Sequence, residues 1–291
     1  MKTDFNLVFN LHQGGEAMDD YITGVIKPYL REGDVLVLVT GNGVPPGDGD
    51  KVLEPFSRKE INYRAVDMDE INRRLAGLKE KLKGIEVKVD LYTAGHAHLK
   101  EVIAGLDPAH KDFIFGIHYG YEPSYLPEFR HDADLSVELM KEAARLIRDA
   151  GFKACAAPSG RGLSDDNRFS TWNYGRFAQV FDEMIVQTQS RLRSDAIAED
   201  LNIPSYKLAA SKLYHQIKRE YPSLCRVYPQ ITISDSAKAG GVNKVNTNAA
   251  PVQYALEGFK FLKALGFPGA SFWYSTGSQP QMLAIVKYFR E

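Results

Sequence analysis

The chain contains 291 residues with a formal net charge of −1, so its charge gives no bulk attraction to nucleic acid or to an anionic membrane. An apolar content of 44% with 25% charged residues is typical of a globular domain with a sizeable core. Its two cysteines, Cys155 and Cys225, lie in apolar stretches, which predicts buried free thiols and not a disulfide framework. The first residues lack the apolar segment of a signal peptide, and no apolar run is long enough to cross a bilayer. The sequence as given therefore predicts a cytoplasmic protein, or a secreted one if a leader has been removed.

Eight segments have the apolar pattern of short β-strands. In chain order they are Asp4–Leu11, Val35–Val39, Ile85–Thr93, Phe113–Pro123, Phe152–Pro158, Met184–Gln189, Cys225–Ser234 and Ala270–Ser275. A segment with helical periodicity follows each strand: Glu16–Arg31, Asp67–Lys83, His96–Leu106, Asp134–Ala150, Trp172–Val180, Pro204–Glu220, Asn248–Leu265 and Gln279–Arg290. Asp134 is the expected N-cap of the fourth of these helices. Eight such units favour a closed (β/α)₈ TIM barrel over an open doubly wound sheet. Because no internal linker separates them, we expect one domain over residues 1–291.

The segment Phe113–Pro123 carries the strongest functional signal. Its sequence, Phe-Ile-Phe-Gly-Ile-His-Tyr-Gly-Tyr-Glu-Pro, has large apolar side chains at odd positions, whereas the even positions from Ile114 onward are mostly small or polar. A strand sends these two sets to opposite faces. We expect the odd face under helices and the even face in a barrel interior that leads up to Glu122. Beside Tyr119 and Tyr121 this carboxyl group would be partly desolvated, which raises its pKa and suits a general acid.

Polar side chains end several predicted strands on the face expected to point inward. They are Asn10, His12, Thr40, Asn42, Asp90, Tyr92, His118, Gln187, Gln189, Gln230, Thr232, Trp273 and Ser275. The active sites of (β/α)₈ barrels lie at this carboxyl edge. Any single amide is better explained as a hydrogen-bonded core group. Their convergence, with Tyr119 beside the acid, predicts a site that binds a polyhydroxylated ligand, and hence a carbohydrate substrate.

The segment from Gly116 to Pro123 resembles the fourth-strand signature of the family 18 glycoside hydrolases, the chitinase-like barrels. That signature reads Asp-Gly-x-Asp-x-Asp-x-Glu, often followed by Tyr-Pro, and Glu122 falls on its catalytic acid. Residues 186–190 and 269–273 are similar to the family's Val-Met-Thr-Tyr-Asp and Gly-x-x-Phe-Trp, whose tryptophan, here Trp273, floors a sugar subsite. The resemblance implies a glycosidase without cofactor or metal. Its substrate would be a poly- or oligosaccharide, a class that includes those built from N-acetylhexosamine.

The three aspartates of the signature are absent, because Phe115, His118 and Gly120 stand in their places. In the family, the last aspartate orients the substrate's acetamido group for attack on the anomeric carbon, which a glycine cannot do. Two carboxylates are candidate replacements: Asp90, inward on the third strand, and Asp235, just beyond the seventh. A separation of about 5 Å from the predicted acid would suit double displacement, and about 6.5–9.5 Å would suit inversion.

Two other functions are compatible with the sequence. His96 and His98 follow the third strand and, with His12, His118 and His131, could form the metal site of a TIM-barrel hydrolase. Chitinase-like lectins, in contrast, keep the barrel and bind carbohydrate without catalysis. This chain keeps the acid and loses the aspartates, which favours an enzyme over a lectin. Nucleic acid and membrane are not expected partners, and the oligomeric state is unknown from the sequence.

Overall fold

The computed structural model describes residues 5–11, 16–40, 50–53, 60–63, 66–93, 96–120, 132–163, 172–188, 203–233, 252–273 and 278–291. The strands are β1 (Asn6–Asn10), β2 (Val35–Val39), β3 (Asp50–Leu53), β4 (Glu60–Tyr63), β5 (Lys88–Thr93), β6 (Ile114–Tyr119), β7 (Lys153–Ala156), β8 (Glu183–Val186), β9 (Arg226–Thr232) and β10 (Gly269–Trp273). All except β3 and β4 pair in parallel, in chain order, and β10 closes on β1. The predicted (β/α)₈ TIM barrel is thereby confirmed. That it makes up one domain over residues 1–291 stays a prediction.

Helices surround the barrel. They are α1 (Glu16–Tyr21), α2 (Met68–Lys81), α3 (His96–Gly105), α4 (Ala133–Asp149), α5 (Tyr174–Ala178), α6 (Ile203–His215), α7 (Val252–Leu265) and α8 (Gln279–Arg290). Single π-helical turns over 22–26 and 216–220 extend α1 and α6. Among the described helices, none has the length and apolar character needed to span a bilayer.

The strands divide the buried side chains into two layers, because successive residues of a strand face opposite sides. The outer layer, beneath the helices, is a large apolar core that includes Leu7, Phe9, Ile117 and Phe272. The inner layer fills the lumen and contains a smaller apolar cluster: Val8, Val35, Val37, Ala157, Ile185 and Tyr228. The lumen of this barrel is therefore packed with side chains and does not form an open pore.

A bulge between β5 and β6 changes the predicted faces of the first two residues of β6. Val89 pairs with Ile114 but Asp90 pairs with Gly116, so Phe115 is an extra residue in the ladder. Ile114, predicted to face the lumen, packs in the outer core, while the Phe115 ring lies under the Lys88 ammonium group at 4.6 Å. The prediction for these two residues was wrong, because strict alternation assumes an uninterrupted ladder. From Gly116 onward the predicted alternation is confirmed.

Three further features differ from the predicted elements. Strands β3 and β4 form an antiparallel pair between β2 and α2, a region for which the sequence indicated no strand. The predicted helix over 16–31 ends as π and 3₁₀ turns, with Pro28 inside the last of them. Helix α4 is capped by Asp132, whose carboxylate accepts a hydrogen bond from the Leu135 N–H at 2.8 Å, and not by Asp134 as predicted.

A buried ion pair fastens the last helix to the amino-terminal end of the barrel. The Arg290 guanidinium donates to Asp34 Oδ1 at 2.5 Å, and both side chains are almost fully buried. Arg290 also donates to the backbone oxygens of Phe5 and Tyr29, and Asp34 accepts from the Leu7 and Arg31 N–H groups. This network joins α8 to the segments on both sides of β1.

Candidate active site

Polar side chains at the carboxyl ends of β1, β9 and β10 bind one another. Asn10 Nδ2 donates to Ser271 Oγ at 3.0 Å and to the Phe272 backbone oxygen at 2.8 Å. Gln230 Nε2 donates to the same Ser271 hydroxyl at 3.3 Å. The predicted substrate-binding residues Asn10 and Gln230 thus share one corner of the lumen, where their amide N–H groups link neighbouring strands. Their placement agrees with the predicted inward faces, and their contact with a substrate stays a prediction.

Tyr92, at the carboxyl end of β5, lies directly against Gly120. Its hydroxyl donates to the Gly120 backbone oxygen at 3.2 Å. A Cβ atom built on Gly120 would fall on the phenol ring, closer than two carbon atoms can approach. The position that carries the last aspartate of the family 18 signature therefore has no room for a side chain, because a tyrosine of the neighbouring strand fills it.

A second polar group lies deeper in the lumen and joins β5, β6 and β8. His118 Nε2 is 3.0 Å from Asp90 Oδ2 and 3.8 Å from Glu183 Oε1, and all three side chains are buried to within 1%. The Lys88 ammonium group is 3.4 Å from Glu183 Oε2. His118 Nδ1 lies 3.2 Å from the Ala156 backbone oxygen, which can only accept, so Nδ1 carries a proton. We name Asp90, His118 and Glu183, with Cys155 beside them on β7, the lumen cluster.

The charges of the lumen cluster shift its pKa values. Burial alone would lower the pKa of His118, but the hydrogen bond and charge of Asp90 and the charge of Glu183 outweigh it and raise this pKa. Burial raises the pKa of Glu183 to about 7, with Asp90 adding to the effect and His118 and Lys88 opposing it. Burial and the neighbouring carboxylates hold the pKa of the Cys155 thiol well above its ordinary value. With only the Lys88 ammonium group as a nearby fixed cation among the described residues, Cys155 is therefore a neutral thiol.

The other predicted substrate-binding, catalytic and metal-binding residues lie apart from these two polar groups or outside the described residues. Gln187 donates to the Ala157 backbone oxygen at 2.8 Å, and Trp273 is half-buried at the end of β10. Tyr119 packs in the outer core, on the opposite face of β6 from His118, so its placement gives no support to substrate contact. Outside the described residues lie Glu122, Asp235, His12, Asn42, Gln189 and His131, together with the side chain of His96. His98, the other member of the predicted histidine pair, is buried in α3.

The fold was compared with those of solved protein structures. The barrel is similar to those of chitinase-like glycoside hydrolases. The spore cortex-lytic enzyme SleL of Bacillus megaterium matches with a TM-score of 0.60 at 10% identity, over 100% of this chain and 75% of SleL. A chitinase from Ostrinia furnacalis matches with 0.55 at 8% identity, over 99% and 100% of the two chains. A GH18 chitinase from Pseudoalteromonas aurantia matches with 0.51 at 12% identity, over 97% and 98%. No protein-family model and no curated protein matches the sequence.

At these identities the likeness shows the fold alone. It agrees with the resemblance of the Gly116–Pro123 segment, because β6, which contains its first four residues, is the fourth strand of the barrel. The other two segments that resemble the family behave in the same way. Residues 186–190 begin at the last residue of β8, the sixth barrel strand, and residues 269–273 coincide with β10, the eighth.

Sequence reasoning missed two members of the lumen cluster as site residues. Glu183 was excluded because the predicted strand began at Met184, one residue too late. The alternation of Glu183, Ile185 and Gln187 would have placed it on the inward face. Cys155 was predicted as a buried thiol, which is confirmed, but nothing in its local sequence indicated that it lies beside Asp90 and His118.

Proposed function

We propose that this protein is a glycoside hydrolase that cleaves a poly- or oligosaccharide, with Glu122 as general acid/base. The observation that carries the proposal is the position of β6 as the fourth strand of a chitinase-like barrel. Glu122 follows the end of this strand by three residues, where the family 18 signature has its acid. The inward polar residues Asn10, Gln230 and Tyr92 near the same edge support a polyhydroxylated substrate.

The burial of Asp90 bears on the choice between the two candidates for the second catalytic group. Asp90 is wholly buried, is hydrogen-bonded to His118, and has no exposure through which a sugar could reach it. This favours Asp235, beyond β9, as the partner of Glu122. The placement of Tyr92 against Gly120 argues against a mechanism that needs an aspartate at residue 120. A substrate's acetamido group would instead have to be oriented by another polar group, and the Tyr92 hydroxyl is the described polar group nearest to that position.

The same Tyr92–Gly120 contact supports a second candidate, a non-catalytic carbohydrate-binding barrel. A binding protein has no need of a group that polarises the acetamido nucleophile, so replacement of that aspartate by glycine would cost it nothing. The two functions differ in whether bound glycan is cleaved.

A glycan panel tests the proposal. Wild type and the variants Glu122→Gln and Glu138→Gln are incubated with β-linked N-acetylhexosamine and hexose oligosaccharides, and released reducing ends are quantified. Glu138 is an exposed glutamate of α4 that serves as the matched control. We expect turnover to fall by roughly 10²–10⁴-fold in Glu122→Gln and to stay unchanged in Glu138→Gln. Equal turnover in wild type and Glu122→Gln would overturn the assignment, and binding without turnover by wild type would establish the lectin alternative.

A further inference from the structure

The lumen cluster has the donor set of a metal site. Asp90, His118 and Cys155 each offer one ligand atom, and these three atoms lie within 4.8 Å of one another. All three side chains are fully buried. Carboxylate oxygen, imidazole nitrogen and thiolate sulfur are the ligands that Zn²⁺ takes in proteins.

Two buried oxygens of the cluster have no hydrogen-bond partner among the described residues. Asp90 Oδ1 and Glu183 Oε1 are both orphaned, although their carboxylates are fully buried. An orphaned buried acceptor costs folding free energy, so natural structures rarely keep one without a bound ion or water. Two of them around one histidine indicate that a positive ligand belongs between the carboxylates.

The orientation of His118 agrees with metal ligation. Its Nδ1–H is directed at the Ala156 backbone oxygen, which turns Nε2 toward Asp90 and Glu183. Metal-binding histidines usually donate their other ring N–H to a backbone oxygen or carboxylate in this way, which fixes the tautomer. With Nδ1 protonated, the lone pair of a neutral His118 lies on Nε2, the atom that faces the acids.

Gly116 permits the close approach of the ligands. A Cβ atom on Gly116 would lie 2.7 Å from Cys155 Sγ and 3.4 Å from Asp90 Oδ1, so no side chain fits there. The thiol and the orphaned carboxylate oxygen therefore border the same position on β6.

We propose that Asp90, His118 and Cys155 bind one divalent transition-metal ion, of the zinc class, inside the barrel, with Glu183 as the fourth ligand. Tetrahedral zinc holds its ligand atoms about 3.3–3.8 Å apart. The three donor atoms lie within 4.8 Å of one another, and His118 Nε2 is 3.0 Å from Asp90 Oδ2, so small side-chain adjustments would bring all three to one ion. Four protein ligands leave no open position for substrate, and the site is inaccessible to solvent. The ion would therefore stabilise the barrel, independently of any glycosidase activity.

In the alternative to metal binding, the negative charges of the lumen cluster are balanced by protonated side chains alone. An imidazolium His118 and the Lys88 ammonium group would balance the carboxylates of Asp90 and Glu183 without a metal. In this arrangement the Cys155 thiol donates to the Lys153 backbone oxygen, and Asp90 Oδ1 and Glu183 Oε1 have no hydrogen-bond partner among the described residues. The two arrangements can be distinguished by experiment, because only the metal site contains a bond between a metal ion and the Cys155 thiolate.

The test uses the untagged full chain, unfolded in the presence of chelator, desalted, and refolded with or without Zn²⁺ or Co²⁺. We expect about one equivalent of metal to stay bound after gel filtration, with a higher thermal midpoint than the metal-free protein. The Co²⁺ form should show a thiolate-to-metal charge-transfer band in the near ultraviolet. In Cys155→Ser this band should disappear, and in Asp90→Asn metal affinity should fall at least about tenfold.

The other buried cysteine supplies the matched control. Cys225 lies outside the cluster, so Cys225→Ser should keep the band and the bound metal. If Cys155→Ser does not fold, a charge-transfer band that is present both in wild type and in Cys225→Ser still supports ligation by Cys155. Folded wild type that binds no metal and shows no charge-transfer band would overturn the proposal in favour of the proton-balanced cluster. A band lost in Cys225→Ser and retained in Cys155→Ser would overturn it as well.

Discussion

The phenol ring of Tyr92 fills the space beside Gly120 that any other residue at position 120 would need. The two residues lie on neighbouring strands, and the Tyr92 hydroxyl also donates to the Gly120 backbone oxygen. Glycine is therefore required here by the neighbouring side chain, and not by its own backbone angles, since its φ is not in the left-handed region.

Substitution of Gly120 measures this packing. Gly120→Ala should lower the free energy of unfolding by about 1–3 kcal/mol, because the added methyl group overlaps the Tyr92 ring. In a Tyr92→Ala background the same substitution should cost almost nothing, so a double-mutant cycle by urea unfolding should give a large coupling energy. Gly24→Ala is the control, since a Cβ atom there meets no atom of the described residues within 4 Å. A cost for Gly120→Ala that is the same with and without the ring would contradict the contact.

The raised pKa of Glu183 predicts a pH dependence of stability. The groups that interact with this carboxyl are Lys88, Asp90, His118, Cys155, Cys225 and Tyr228. Its pKa is about 7 in the fold and 4.5 ordinarily, so the native state binds more protons than the unfolded state between these pH values. The free energy of unfolding should therefore fall as pH rises through this window, by at most about 3 kcal/mol. The raised pKa of His118 acts in the same direction, because its contribution is lost above its ordinary value of 6.5.

Chemical unfolding in the presence of chelator, at half-unit steps from pH 5 to about 8, checks this prediction. Glu183→Gln is neutral throughout and should flatten the profile. The control Glu138→Gln removes an exposed glutamate and should leave the slope as in wild type. A wild-type profile that rises over this range would show that Glu183 is not held protonated by the fold.

Loss of the Asp34–Arg290 pair should be costly. Arg290→Met leaves the Asp34 carboxylate buried without its partner and removes the donors to the Phe5 and Tyr29 oxygens. We expect the free energy of unfolding to fall by about 3–5 kcal/mol. Arg145→Met breaks two exposed ion pairs on α4 and should cost less than about 1 kcal/mol. Similar losses for the two variants in guanidinium unfolding would rule out a structural role for the buried pair.

Two neighbouring aspartates separate the observed helix cap from the predicted one. Asp132→Ala removes the acceptor of the Leu135 N–H and should destabilise the protein by about 1 kcal/mol. Asp134→Ala removes an exposed side chain that pairs with Arg176 at the surface and should cost only a few tenths of that. Thermal unfolding of both variants distinguishes them, and a larger loss for Asp134→Ala would favour the cap predicted from the sequence.

Local patterns in the sequence determined the class of fold. Strand alternation and helical periodicity depend on residues that are close along the chain, so they can be read from the sequence. Strand β2 and helix α8 have the predicted bounds, and the other predicted strands and helices differ mainly at their ends. The same alternation placed Asn10, Tyr92, His118 and Gln230 on inward faces, which the structure confirms. It also placed Glu122 at the carboxyl end of the predicted fourth strand, which is the basis of the proposed glycosidase.

Only the tertiary structure decided which inward residues meet. His118 lies beside Asp90, Glu183 and Cys155 because barrel closure and strand register bring β5, β6, β7 and β8 together at one height. Period two specifies a face of a strand but not its neighbours, and one bulge was enough to exchange the faces of Ile114 and Phe115. Arg290 finds Asp34 across 256 residues of chain, a contact for which no local pattern exists. The sequence by itself therefore determined the barrel and the faces of its strands, whereas the lumen cluster and the filled space at Gly120 depend on long-range register.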